Sequence, residues 1–137
     1  MLKFRKLKIE DNKDIELLFR QLTSGPIKFN INAILRDKNC NCIVILDNKK
    51  VIGFGALVRF NIPSKGEVGM IEDIVIDENY RGKGLGRSML QELISIAKKE
   101  NVLHVDLTSK RIRIKARKLY ESLGFVMRES DIFRLKL

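Results

Sequence analysis

The pattern of apolar and polar positions divides the chain into alternating strand-like and helix-like stretches. Residues 2–9 alternate loosely, the two-residue period of an opening strand. Ile15, Leu18, Phe19 and Leu22 then recur at helical spacing, with Asp11 or Asn12 placed to cap that helix and Ser24-Gly25-Pro26 placed to stop it. A shorter helical pattern, Ile31, Ile34 and Leu35, runs to about Lys38. Two β-rich segments, Cys42–Leu46 and Val51–Phe60, flank Asp47-Asn48-Lys49-Lys50, which reads as a hairpin turn, and Pro63-Ser64-Lys65-Gly66 leads into a third strand, Val68–Ile76. Consecutive strands on short turns make an antiparallel meander.

Beyond that meander, Leu85, Met89, Leu90, Leu93, Ile94 and Ala97 mark one face of a helix whose last turn, Lys98-Lys99, matches the helix dipole. A strand over Val102–Leu107 comes next. Ile112, Ala116, Leu119, Tyr120 and Leu123 form a further helical stripe that ends at Gly124, a residue suited to a left-handed cap. The tail carries two short strand patterns, Phe125–Arg128 and Ile132–Leu137. The expected architecture is an α/β sheet with a strand, glycine turn and helix at its centre, and the carboxyl ends of strands are where open sheets bind ligands.

That central turn, Arg81-Gly82-Lys83-Gly84-Leu85-Gly86-Arg87, carries the most specific chemistry in the chain. Glycines at alternate positions clear one side of the backbone of Cβ atoms, so that consecutive N–H groups at a helix start can close around a large anion. Arg81, Lys83 and Arg87 add positive charge, and Ser88 adds a hydroxyl. The pattern predicts a pyrophosphate grip. Two better-known phosphate motifs do not fit: no glycine is followed at the right distance by the Gly-Lys of a P-loop, and the third glycine of a dinucleotide fingerprint is replaced by Arg87. Asp106, at a spacing that fits a ribose ligand, reads as a strand-end aspartate.

A chain of 137 residues with 45% hydrophobic content builds one core, and a single domain over residues 1–137 is the expectation. Charges interrupt every long apolar run, and the start, Met1-Leu2-Lys3-Phe4-Arg5-Lys6, lacks a secretory signal, so a cytoplasmic protein without a membrane span is expected. Cys40 and Cys42 have no histidine or further cysteine near them in sequence; they are read as reduced thiols, and no metal site is expected. A net charge of +10 gives general affinity for phosphates. It does not call for nucleic acid, because a coenzyme carrying several phosphates selects the same surface and nucleic acid has no need of an ordered glycine turn.

Two motifs together give the chain a family likeness. The first is RxxGxG, filled by Arg81, Gly84 and Gly86, after a strand containing Glu72 and before a helix. The second is Arg113-x-x-Ala116-x-x-Leu119-Tyr120-Glu121-Ser122-Leu123-Gly124-Phe125, one helix and one strand further on. In that order the chain resembles the GNAT family of N-acetyltransferases over nearly its whole length. The resemblance implies an acyl-CoA acyltransferase fold, a mixed, mostly antiparallel central sheet flanked by helices, with acetyl-CoA as cosubstrate. It assigns coenzyme binding to the backbone of Ile74, Val75 and Ile76, along the pantetheine arm, and to Arg81, Gly82, Lys83, Gly84, Leu85, Gly86, Arg87 and Ser88, around the pyrophosphate.

Acetyl transfer to an amine needs a group to take the amine's proton and a proton for the departing thiolate. Glu72 is the expected base and Tyr120 the expected acid. Because strand neighbours face oppositely, Glu72 and Asp73 should not share one cleft, and Asp73 is the fallback. Tyr80 is read as packing, His104 as a surface residue, and the cysteines offer no acyl-enzyme, so direct transfer is expected. The acceptor is a primary amine of a small molecule or peptide. Residues 69–75 also look like the matching strand of glucosamine-6-phosphate acetyltransferases, which makes an aminosugar phosphate an alternative, and a coenzyme-binding sensor without turnover is another. Lys110, Arg111, Arg113, Lys115, Arg117 and Lys118 either bind an acidic group or form a solvated helix face. The sequence leaves the oligomeric state open, and edge strands with the apolar tail around Phe133, Leu135 and Leu137 are compatible with a homodimer.

Overall fold

The structure, a computed structural model, describes residues 1–137, and its contacts divide them into two compact units, Met1–Leu107 and Thr108–Leu137. The first unit is a five-stranded sheet in sequential order: β1 (Leu2–Lys6), β2 (Cys40–Asp47), β3 (Lys50–Ile62), β4 (Gly66–Ile76) and β5 (Val105–Asp106). The first four strands pair antiparallel and β5 joins β4 in parallel. Three helices accompany them: α1 (Asn12–Leu22), α2 (Ile31–Arg36) and α3 (Leu85–Lys99).

The meander forms where the pattern places it. Asp47 pairs with Lys50 across a two-residue turn, and Asn48 takes a φ of +55°, a conformation asparagine tolerates and tight hairpins require. Cys42, Val44 and Leu46 point to one face, where Ile15, Leu18 and Phe19 of α1 and Ile31 of α2 cover them. Phe19 sits edge-on to Phe54 and Phe29, with centroids 5.2 and 5.3 Å away. The other face takes α3, whose Met89 and Leu93 lie against Gly55 of β3. Both faces are therefore covered, and residues 42–46 and 51–57 are buried without a break. That explains continuous apolar runs in strands that would alternate if one face met water.

The opening strand is shorter than its alternation suggests, ending at Lys6, because Asp11 organises the turn that leads into α1. Its carboxylate does not cap α1. It accepts from both terminal nitrogens of Arg5, at 2.8 and 2.9 Å, and from the Lys8 backbone N–H at 2.8 Å. Burial pushes the Asp11 carboxyl up, but the Arg5 and Lys8 hydrogen bonds and charges outweigh it and hold the group below the usual carboxylate range. The strand expected over Val102–Leu107 is also reduced, to Val105–Asp106. Asn101 turns with a φ of +56° and the Val102 N–H still bonds back to Ala97 of α3, so the chain reaches β4 late.

The second unit contains α4 (Ile114–Ser122). Gly124 has a φ of +96°, the Gly124 N–H bonds the Glu121 carbonyl and the Phe125 N–H bonds the Tyr120 carbonyl, both at 3.0 Å. This is the Schellman closure that the glycine foretold. The tail strands expected at Phe125–Arg128 and Ile132–Leu137 do not form. A strand needs a neighbouring backbone to bond, this unit supplies only a helix, and Val126 and Phe133 stand 82% and 95% exposed.

Asp11→Ala should lower the unfolding free energy by about 3 kcal/mol at neutral pH, because it strands the Arg5 charge. The lowered carboxyl pKa means that the wild-type advantage exists above the unfolded carboxylate range and is lost as pH falls through the folded value. Urea titrations should therefore show the deficit shrinking below about pH 4. A deficit equal at pH 3 and pH 7 would refute the ion-pair account.

Candidate active site

The site begins with a fault in the pairing of β3 and β4. Their register runs from Ile62 opposite Gly66 to Ala56 opposite Glu72, then resumes with Phe54 opposite Val75 and Gly53 opposite Ile76. Asp73 and Ile74 together thus oppose Gly55, a β-bulge, and Asp73 takes a φ of +54°. The strict alternation that set Glu72 and Asp73 on opposite faces does not run through a bulge. Glu72 and Asp73 are both exposed, and Glu72 shares its face with Ala56; partial desolvation at the bulge pushes the Asp73 carboxyl above its ordinary value.

The same strand has a free edge. β5 pairs with β4 only at Gly69 and Met70, so Ile71–Ile76 have no strand on that side and their outward backbone groups are open. Ile74, Val75 and Ile76, whose backbone is expected to hold the pantetheine arm, lie along this edge. One carbonyl in it is engaged, since the Arg81 Nε donates to the Ile76 oxygen at 2.9 Å and draws the start of the glycine turn against the end of β4.

Gly82 and Gly84 adopt φ values of +77° and +79°, conformations that side chains rarely reach. A Cβ built on either would meet nothing within 4 Å. The two glycines are thus needed for the shape of the turn and leave open space beside it rather than packing against protein. Gly84 is also the N-cap of α3 and offers no side chain to its first N–H groups, which remain available to an anion. Leu85 sends its side chain into the core, so only its backbone faces the turn; Gly86, Arg87 and Ser88 complete the first turn. The Ser88 hydroxyl donates to the Gly84 carbonyl at 3.2 Å, closing the helix start rather than facing outward.

Residues that sequence reasoning did not assign to the site hold this turn in place. The Tyr80 hydroxyl donates to Asp47, in the β2–β3 hairpin, at 2.5 Å, and Lys83 lies 5.3 Å over the Tyr80 ring. That hydrogen bond lowers the Asp47 carboxyl and raises the Tyr80 phenol. Asp77 accepts from the Asn79 N–H at 2.9 Å and from Gln21 of α1 at 3.4 Å, while Gln21 accepts from the Glu78 N–H. Tyr80, read as packing, is a tether. The only signal for it in the sequence is an aromatic just before the glycines, since Asp47 and Gln21 are far from it along the chain.

Tyr120 belongs to the second unit, half-buried on α4, its ring edge-on to Phe125 with centroids 6.1 Å apart. Lys110, Arg111, Arg113, Lys115 and Lys118 are exposed, as expected of a solvated or anion-facing helix, and Arg117 bonds the Arg111 carbonyl and the Met127 sulfur. His104 lies beside β5, its Nδ1 3.7 Å from Asp106. No three histidine, cysteine or acidic side chains come close enough to hold a metal ion, and no helix is long and apolar enough to cross a membrane.

Known proteins resemble this chain in sequence and fold. The chain is 40% identical over 65 residues to a glucosamine 6-phosphate N-acetyltransferase of Trypanosoma brucei brucei, covering 47% of this chain and 42% of that one. It is 30% identical over 133 residues to a glucosamine 6-phosphate N-acetyltransferase of Dictyostelium discoideum, covering 89% and 83%. The crystal structure of a Trypanosoma brucei acetyltransferase superposes with a TM-score of 0.86 at 29% identity, covering 100% of both chains. The first of these curated relatives is thus matched over less than half its length. The family model described as Acetyltransferase (GNAT) family matches residues 9–125, across the bulged strand, the glycine turn and α4, and the chain belongs to that family.

Proposed function

We infer that the protein is an acetyl-CoA-dependent N-acetyltransferase that moves an acetyl group directly onto a primary amine, with residues 1–137 acting as one catalytic domain. The observation that carries this reading is the coincidence, on one strand, turn and helix, of an open β4 edge, Glu72 at its bulge and two left-handed glycines with empty space beside them. The residues fit the coenzyme: N–H groups from Gly82 to Arg87 suit a pyrophosphate, Arg81, Lys83 and Arg87 add charge, and the edge of Ile74 to Ile76 suits the amide-bearing arm. Acetyl-CoA supplies the activated acyl group as a thioester. Ser88 contributes to the helix start rather than to the phosphates.

Glu72 takes the proton of the attacking amine, directly or through water, and Tyr120 returns one to the thiolate that leaves. Asp73 stands next in line for the base, since the bulge brings it out of strict alternation. Among acceptors, an aminosugar phosphate is the class to test first. It is supported by the activity for which two relatives are named. A sensor that binds the coenzyme without turnover is distinguished by the absence of acetylated product with any amine. The exposed Phe133, Leu135 and Leu137 support a homodimer.

Gly84→Val places a β-branched side chain at positive φ and should weaken acetyl-CoA binding about tenfold or more. Tyr80→Phe, which keeps the ring and loses the tether to Asp47, should weaken it less, and neither should alter affinity for pantetheine. Calorimetry that finds both coenzyme affinities unchanged would overturn the assignment of the turn.

Glu72→Gln should lower turnover by about 10² to 10⁴ with coenzyme affinity intact, and the loss should shrink at high pH, where the free amine is already neutral. A larger loss in Asp73→Asn, measured in parallel, transfers the role to Asp73. Tyr120→Phe keeps the ring contact with Phe125 and should slow single-turnover acetylation by a similar order. Full single-turnover activity in that variant would return Tyr120 to a packing role.

A further inference from the structure

Cys40 and Cys42 open β2 with their sulfurs 3.7 Å apart. Two residues apart on a strand, they share a face of the sheet. Cys42 belongs to the core cluster under α1 and α2, and Cys40 packs against it together with Ile27, Phe29 and Ile34, half-open to water. Pairing carries the row onward: Cys42 lies opposite Ala56, and Ala56 opposite Glu72. The thiols therefore share a sheet face with Glu72, two strands and about 10 Å away. Both thiols also feel the negative charges of Asp37 and Asp73, and the hydrogen bond from the Cys42 thiol favours the Cys40 thiolate.

The spacing of the sulfurs defines what they can hold. An atom bonded to two sulfurs at about 2.3 Å keeps them roughly 3.3–3.8 Å apart for bond angles between about 90° and 109°. The sulfur separation of the pair falls within that bite, whereas a disulfide requires about 2.05 Å and the chain to close within one strand. No third protein donor stands nearby, so the bound centre must bring its remaining bond with it. That excludes a closed tetrahedral zinc site and fits a pyramidal, three-coordinate thiophile.

We propose that Cys40 and Cys42 form a bidentate dithiol site for organic trivalent arsenicals of the type R–As(III), and that its occupant stands on the acceptor's side of the catalytic strand. With an arsine oxide, R–As=O and two thiols give R–As(S–Cys)₂ and one water. Two S–H bonds and the As=O bond break, two As–S and two O–H bonds form, and no atom changes oxidation state, so no external oxidant or reductant is needed. The half-open Cys40 engages first and the buried Cys42 closes the chelate. The placement relative to transfer rests on the acetyltransferase reading; the chelate itself does not.

Phenylarsine oxide added to the full chain tests both parts. Native mass spectrometry should show one adduct formed with loss of one water, thiol titration after removal of excess reagent and unfolding should show two thiols fewer, and a dithiol but not a monothiol should reverse it. Cys40→Ser and Cys42→Ser should each leave an adduct that a monothiol removes, with apparent affinity down by about 10² or more, the ordinary advantage of closing a second bond within one molecule. No adduct, or a wild-type adduct reversed by a monothiol, overturns the site, and these readings need no enzyme activity. With acetylated product followed by mass, the adduct should reduce acetylation at least about tenfold while acetyl-CoA affinity, measured by calorimetry, stays within about twofold. Acetylation at full rate on the adduct overturns its placement, whereas untreated protein that acetylates nothing counts against the proposed activity and leaves the chelate to be judged by mass and thiol count.

Discussion

Gly55, one of two positions at which β3 has no side chain, sets the geometry of the candidate site in the first unit. A Cβ on Gly55 would lie 2.8 Å from Met89 Cγ and 2.9 Å from its sulfur, so the bare backbone there is what lets α3 seat against the sheet. Helix α3 is a rigid rod anchored at Met89, Leu90 and Leu93, all buried, and its seating fixes where its first turn begins. Gly55 is also the residue opposed by two residues of β4, which places the bulge of Asp73 and Ile74 beneath the same contact. One close approach thus aligns the start of α3 with the distorted strand that carries the candidate base. Packing, rather than any bond within the site, holds the two parts in register.

Elements whose cause is local were legible in the sequence. The stripe of α3, the meander, the hairpin at Asn48 and the closure of α4 at Gly124 each stem from a periodicity or a single conformational preference within a few residues. The glycine turn was readable for the same reason, because positive φ at Gly82 and Gly84 is a property of the residues themselves. The family likeness drawn from Arg81, Gly84, Gly86 and the α4 motif carried the fold further than periodicity alone, and the family match over residues 9–125 bears it out.

What the sequence concealed depends on partners far along the chain. Asp11 stands where a helix cap belongs, and only the folded arrangement brings Arg5 round to take its carboxylate. An aspartate at positive φ gives no signature in an apolar run, so the bulge at Asp73 and its effect on the facing of Glu72 were hidden. The alternating tail promised strands at Phe125–Arg128 and Ile132–Leu137, yet alternation states only which face a strand would bury, and a ladder needs a second backbone. The roles of Glu72 and Tyr120 rest on chemistry and likeness, with geometry speaking only to the surroundings of each.

The hydrogen bond from Tyr80 to Asp47 gives an ordinary hairpin an unusual burden. Tight surface turns between strands are the places where related chains commonly gain or lose residues. Here the turn at Asn48-Lys49 lies directly after the residue that moors the glycine turn. An insertion that shifted Asp47 by one position along β2 would reverse its facing and release Tyr80, although no residue of the glycine turn had changed. Length variation among relatives should thus be sparse at this turn, unless Asp47 and Tyr80 are lost together.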